Sequence, residues 1–160
     1  YPRGNGVMTE WKTPFQLIKP GTGRKVRSGS DIAILSIGPM GNYALKACEE
    51  LESRGISAAL YDMRFVKPID ELMLHEVFGK FKHVVTVEDG CLQGGMGSAV
   101  LEFMVDNGYT SQVKRLGIPD RLVEHGTQDE LYAECHYDAA AMVATCEEML
   151  HETIVEKRTA

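Results

Sequence analysis

Four short segments carry the residue types that could do chemistry, and each follows an apolar run. The richest is Glu88-Asp89-Gly90-Cys91-Leu92-Gln93-Gly94-Gly95-Met96-Gly97-Ser98. Glycines ahead of a helix let backbone N–H groups cradle a phosphate. No Lys-Ser or Lys-Thr pair follows, however, and Glu88 and Asp89 would repel an anion. Gly94, Gly95 and Gly97 therefore read better as points of close approach to another protein element. A second segment holds Glu124 and His125, which could do acid–base work near neutral pH. The alternative there is a structural or interfacial loop histidine. In a third, Asp62 to Asp70, Arg64 and Lys67 could bind an anion, or Arg64 could close the turn through an ion pair. The fourth, Gly38-Pro39-Met40-Gly41, lacks the dinucleotide spacing, and Pro39 removes an N–H that a phosphate would use. No serine stands on a nucleophile elbow. Cys48, Cys91, Cys135 and Cys146 form no C-x-x-C pair and lie at no zinc-ligand spacing from a histidine, so no metal site and no disulfide framework is expected. Reduced thiols in a cytoplasmic compartment are the default.

These segments need a scaffold, and the chain alternates in a way that supplies one. Residues 31–37 form a near-continuous apolar run ending at Gly38, as expected of a strand buried on both faces. Residues 40–54 read as a helix with Ala44, Leu45, Ala47, Cys48 and Leu51 on one face and Gly55 as its stop. Strands follow over 57–61, 83–87 and 112–116. Helices follow over 70–81, with Asp70 as N-cap and Leu72, Leu74, Val77, Phe78 and Phe81 apolar, and over 97–107, closed by Gly108. Thr127 and Glu130 form a capping box that opens a helix over 127–135, and a last helix runs from 138 to about 151. Strands alternating with helices of this length mean repeated βαβ units and a parallel sheet. The expected fold is a three-layer α/β/α domain over residues 31–152, its four strands forming a parallel sheet. Residues 1–30 read as a linker with a short charged edge strand at 24–27. Residues 153–160 read as a polar tail.

Of 160 residues, 17 are basic and 23 acidic, a formal net charge of −6. An acidic chain without a Lys/Arg-rich block is a poor partner for nucleic acid or an anionic membrane surface. No apolar run approaches the roughly 18 residues of a spanning helix. The chain opens on Tyr1 with no signal pattern, and it reads as a piece of something larger. From the residues alone it is an α/β domain without a self-contained active site.

Several stretches carry a resemblance. Tyr1-Pro2-Arg3-Gly4, Met63-Arg64-Phe65-Val66-Lys67-Pro68-Ile69-Asp70 and Val87-Glu88-Asp89-Gly90 with Gly94-Gly95-Met96-Gly97-Ser98-Ala99-Val100 resemble the C-terminal part of the transketolase superfamily. Leu116-Gly117-Ile118-Pro119-Asp120-Arg121, Glu124-His125-Gly126-Thr127-Gln128 and Asp138-Ala139-Ala140 narrow the likeness to the 1-deoxy-D-xylulose-5-phosphate synthases. The Lys-Pro-Ile-Asp and glycine-rich patterns are shared with transketolases proper and with 2-oxo-acid dehydrogenase beta subunits, so those enzymes stay open, as does a non-enzymatic ligand-binding module.

The resemblance implies a transferase that joins pyruvate and glyceraldehyde 3-phosphate, with loss of carbon dioxide, in isoprenoid, thiamine and pyridoxal biosynthesis. It implies thiamine diphosphate and Mg2+ bound by preceding domains, a homodimer, and a mostly parallel five-stranded sheet whose first strand, at 24–27, is an antiparallel edge strand. No catalytic residue, metal or cofactor is then expected in this chain, which by itself would be inactive. Arg3 would hold the acceptor's phosphate, although without the resemblance it reads as a surface arginine on a linker. Gly94, Gly95, Gly97, Glu124 and His125 would lie at the dimer interface or substrate channel. The chain departs from the family pattern at Asp89, which replaces a common Glu, and at Ala141, which replaces a common Gly. Cys135-His136-Tyr137-Asp138 also stands where Leu-Gly-Leu-Asp is more usual.

Overall fold

A computed structural model describes the backbone of residues 16–159 and the side chains of residues 16–151. Arg3 lies outside the described residues. Five strands form one sheet in the order β1-β3-β2-β4-β5. They are β1 Arg24–Arg27, β2 Ile32–Ser36, β3 Ala58–Asp62, β4 His83–Cys91 and β5 Gln112–Ile118. The strands β2, β3, β4 and β5 pair in parallel, and β1 alone runs antiparallel, against β3. The helices are α1 Met40–Ser53, α2 Glu71–Lys80, α3 Met96–Asp106, α4 Gln128–Glu134 and α5 Ala139–Thr159.

Every residue of β2 is buried, as its unbroken apolar run requires of a strand covered on both faces. Alternation divides the core in two. Ile32, Ile34, Val85 and Val87 face the side covered by α1, α4 and α5. Ala33, Leu35 and Val84 face the side covered by α2 and α3, where Phe78 and Phe103 pack. The three layers expected from the sequence are thus present.

The helix ends follow the local chemistry. Asp70 caps α2 by accepting from the Met73 N–H at 2.9 Å, and its other oxygen accepts from the Gly23 N–H at 2.8 Å. One side chain therefore fixes both the helix and the entry to β1. Thr127 and Glu130 complete the capping box of α4. Gly55 and Gly108 follow α1 and α3 with φ of 81° and 71°, the left-handed turn that favours glycine.

Two side chains correct the expected core. Leu45 is 38% exposed and Leu72 is 83% exposed. In α1 the buried row is Met40, Ala44, Ala47, Cys48 and Leu51, and Leu45 sits about 100° around the helix from Ala44. In α2 only Leu74, Val77 and Phe78 are buried. The last helix continues to Thr159, past position 151. No helix among the described residues is long and apolar enough to cross a membrane.

The edge strand β1 carries its charges outward and pairs them. Arg24 meets Asp62 at 3.2 Å, Arg27 meets Glu52 at 2.7 Å, and Lys25 meets Glu76. Such exposed pairs contribute little each, but charges on an edge strand oppose pairing with another chain. Behind β1, a Cβ on Gly29 would collide with the Ala58–Ala59 backbone, whereas one on Gly79 in α2 would meet nothing within 4 Å. The same substitution should therefore act with opposite signs. Gly29→Ala should destabilise the chain by about 1–3 kcal/mol through overpacking. Gly79→Ala should stabilise it by up to about 1 kcal/mol through helix propensity. Urea unfolding of both variants checks this.

Candidate functional site

The carboxyl ends of the strands are where an open α/β sheet gathers its ligands. At the end of β4 two acids stand side by side, and alternation sends them to opposite faces. Glu88 follows Val84 and Thr86 toward α3. Asp89 follows Val85 and Val87 toward α4 and α5.

Glu88 is 6% exposed. Its carboxylate accepts the Met96 N–H at 2.7 Å and the Gly97 N–H at 2.8 Å, at the first turn of α3. The positive end of the helix and two of its unpaired donors are thus taken by the chain's own anion. This explains the glycines. A Cβ on Gly95 would collide with the Glu88 carboxylate and the Cys91 carbonyl, and one on Gly97 would stand 2.6 Å from Thr86 Oγ1. The close approach expected of Gly95 and Gly97 is therefore made within the chain, and Gly97 is buried there. Gly94 is exposed and takes φ of 76°. Ser98 Oγ accepts from Gly94 N–H and from the Arg115 guanidinium, which also donates to the Leu92 carbonyl. The glycine-rich turn is held from inside by Glu88, Ser98 and Arg115.

Asp89 faces a cleft of about 520 Å³ bounded by Ile118, Val123, Glu124, Leu131 and the Tyr132–Tyr137 pair. Tyr132 donates to one Asp89 oxygen at 2.9 Å and Tyr137 to the other at 3.1 Å. Burial pushes both phenols well above the usual tyrosine range, and the Asp89 carboxylate adds to it. Tyr43 of α1 donates to Asp129 at 2.7 Å and packs edge-on against Tyr132, tying the first helix to the fourth. Sequence reasoning missed this tyrosine–aspartate cluster. Parity along β4 was its one available signal, since 85, 87 and 89 share a face.

Glu124 and His125 are both exposed, on the loop between β5 and α4. Glu124 lines the cleft, while His125 does not. The loop also presents Leu122, 92% exposed. Arg64 takes the second option open to it, an ion pair with Asp62 at 3.8 Å, from a residue with φ of 56°. His136 has φ of 57°. That left-handed position is the one where the resembled family more often has glycine. All four cysteines are free, and only Cys91 is exposed. Burial pushes Cys48 up to about 11 and Cys146 up to about 12.

The family model for the transketolase C-terminal domain matches residues 21–142. The chain belongs to that family. Curated relatives place this transketolase C-terminal domain more finely. It is 63% identical over 145 residues to a 1-deoxy-D-xylulose-5-phosphate synthase of Cytophaga hutchinsonii, covering 91% of this chain and 23% of that protein. It is 58% identical over 139 residues to the synthase of Bacteroides thetaiotaomicron, covering 86% and 22%. The chain thus spans about a quarter of the length of the curated relatives it matches. Among solved structures, a split-gene transketolase, described as an inactive beta4 tetramer, superposes with a TM-score of 0.81 at 33% identity, covering 89% of this chain and 46% of that one. A mutant transketolase from Pichia stipitis superposes at 0.60 with 17% identity, covering 82% and 18%, a likeness of fold.

The raised tyrosines give a pH dependence with a definite sign. Both phenols hold their protons more tightly when folded, so their contribution to stability is complete below the ordinary tyrosine value of about 10 and declines as pH rises beyond it. Asp89→Asn removes the carboxylate's share and leaves burial. The variant should melt lower than the parent at neutral pH, and both should lose stability as pH rises past about 10, because burial still holds the variant's phenols above that value. Melting curves of both proteins on either side of that pH test this.

Proposed function

We propose that this transketolase C-terminal domain belongs to a 1-deoxy-D-xylulose-5-phosphate synthase, which condenses pyruvate with glyceraldehyde 3-phosphate and releases carbon dioxide. The identity of 63% over 145 residues to a protein of that name carries the reading. The rival readings, a transketolase proper and a 2-oxo-acid dehydrogenase beta subunit, draw on the widely shared glycine-rich and Lys-Pro-Ile-Asp patterns. The stretch from Pro119 to Gly126 is the more specific one, and it forms the loop beside the Asp89 cleft.

In this reading thiamine diphosphate and Mg2+ belong to other parts of a longer, cytoplasmic, homodimeric protein. The residues described here do not fit either group. The α3 N-terminus, the natural place for a diphosphate, already holds Glu88. No group of three or more His, Cys, Asp or Glu among the described residues is arranged to hold a metal ion. The domain contributes support instead: the sheet from β1 to β5 and the helices α1 to α5 form its folded body, so β1 belongs to the body rather than to a linker and α5 replaces the expected tail up to Thr159. Gly94, Glu124 and His125 are the exposed candidates for a surface that meets the rest of the enzyme or lines its channel. Gly95 and Gly97 act by letting the turn close on Glu88. Arg3 holds the acceptor's phosphate, a task suited to the guanidinium fork.

The longer protein carrying this chain, supplied with cofactors, should form deoxyxylulose phosphate from pyruvate and glyceraldehyde 3-phosphate. Acetyl transfer to lipoamide instead would sink the reading. The 160-residue chain assayed by itself should give no product. In the longer protein, Arg3→Ala should lower kcat/KM for glyceraldehyde 3-phosphate by about 10- to 150-fold, the worth of a charge-assisted contact. Arg3→Lys should recover part of the loss. Equal losses with an unphosphorylated aldehyde acceptor would make Arg3 structural.

A further inference from the structure

The opposite end of the sheet holds a second cavity, of about 650 Å³, below the amino ends of β2, β3 and β4. Its size lies within the range of small-molecule sites. Ile56 and Leu150 give it an apolar wall, and Arg54, Lys80, Lys82, His83 and His151 surround that wall with bases.

The two acids of the lining, Asp31 and Glu147, are already engaged. Asp31 accepts from the Ser57 N–H at 2.7 Å and from Ser30 Oγ at 2.8 Å. Both Glu147 oxygens accept from Arg54 Nη1, at 2.9 Å each. Arg54 is taken up by Glu147 and by Glu50, whereas the two lysines and His151 are less committed. Lys80 uses one donor on the Gly29 carbonyl at 2.7 Å and keeps two more. No hydrogen bond or ion pair to another described residue engages the side chain of Lys82 or of His151. His83 is 6% exposed, a buried polar side chain on the same wall. Arg54 and Lys80 also complement the negative ends of α1 and α2. Lys82 stands beyond the last turn of α2, and His151 belongs to α5, so that explanation leaves both of them over. The residual field in the cavity is positive, beside an apolar wall.

We propose that this cavity binds a small organic anion of the phosphate-monoester class. Its charged end meets Lys80, Lys82 and His151, and its apolar body lies against Ile56 and Leu150. The site is at the opposite end of the sheet from the Asp89 cleft, so a ligand there would act at a distance. The inference stands on this chain's own residues, whatever reaction the longer protein performs.

The test is calorimetric titration of the longer protein with three probes: 1-naphthyl phosphate, 1-naphthol and inorganic phosphate. The two-part site predicts that 1-naphthyl phosphate binds at least about tenfold more tightly than either half alone. Lys82→Glu, at an exposed and unengaged residue, should weaken it at least about tenfold without lowering the melting temperature. His151→Glu, a second exposed position, should act in the same direction. Saturating glyceraldehyde 3-phosphate should leave the binding in place, which separates this cavity from any phosphate site elsewhere. Inorganic phosphate binding as tightly as the naphthyl ester would mean an adventitious ion only and would overturn the proposal. So would no saturable binding of the ester, binding indifferent to both substitutions, or displacement by glyceraldehyde 3-phosphate.

Discussion

The carboxylate of Glu88 against the first turn of α3 is the contact on which the carboxyl end of the sheet depends. A buried anion is tolerated only where donors surround it, and here two backbone N–H groups at the positive end of a helix do so. That arrangement demands that the turn pass directly over the carboxylate. No side chain fits at Gly95, and none fits at Gly97 against Thr86. The turn in turn sets where α3 begins, and α3 brings Val100 and Phe103 onto one face of the sheet. Remove the charge and the glycines lose their reason; enlarge the glycines and the charge loses its donors.

The strand that presents Glu88 also presents Asp89, and the pleat makes them different residues physically. One is drawn inward and occupies a helix terminus. The other emerges among tyrosines on the opposite face, where Tyr132 and Tyr137 satisfy both of its oxygens. Tyr43 and Asp129 continue that face across to α1. Two neighbouring acids thus brace two separate layers, α3 on one side and α1, α4 and α5 on the other. The interior strand β4 becomes the place where both layers are registered against the sheet.

Much of this was legible in the sequence, for a physical reason in each case. The unbroken apolar run of β2 could only be a doubly covered strand. Asp70, Thr127 and Gly55 are terminus signals whose chemistry is local, and each appears where its type requires. Leu45 and Leu72 were misplaced because an apolar residue one position off the buried row looks the same in a sequence as one on it. The role of Glu88 was half visible. Its repulsion of phosphate was evident, but its own occupation of the helix end needed the path of the turn. The Asp89 cluster was hidden, since Tyr132 and Tyr137 lie more than forty residues away and meet it only once α4 and α5 fold back over the sheet. Arg3 stays a matter of resemblance, lying outside the described residues.

The departures from the family pattern are less scattered in space than in sequence. Asp89, Cys135 and Tyr137 all border one cleft. An aspartate is one methylene shorter than the glutamate more usual there, which leaves room for a hydroxyl at its tip. Tyr137 supplies that hydroxyl, where the more usual leucine has no donor. Its ring is 2% exposed, so an unpaired phenol there would cost about 1–3 kcal/mol. Tyr137 thus gives Asp89 a second phenol donor, and His136 just before it holds the left-handed backbone that glycine would adopt without strain. Asp89, Tyr132 and Tyr137 thus act as one unit, a carboxylate held by two phenols at the mouth of the cleft.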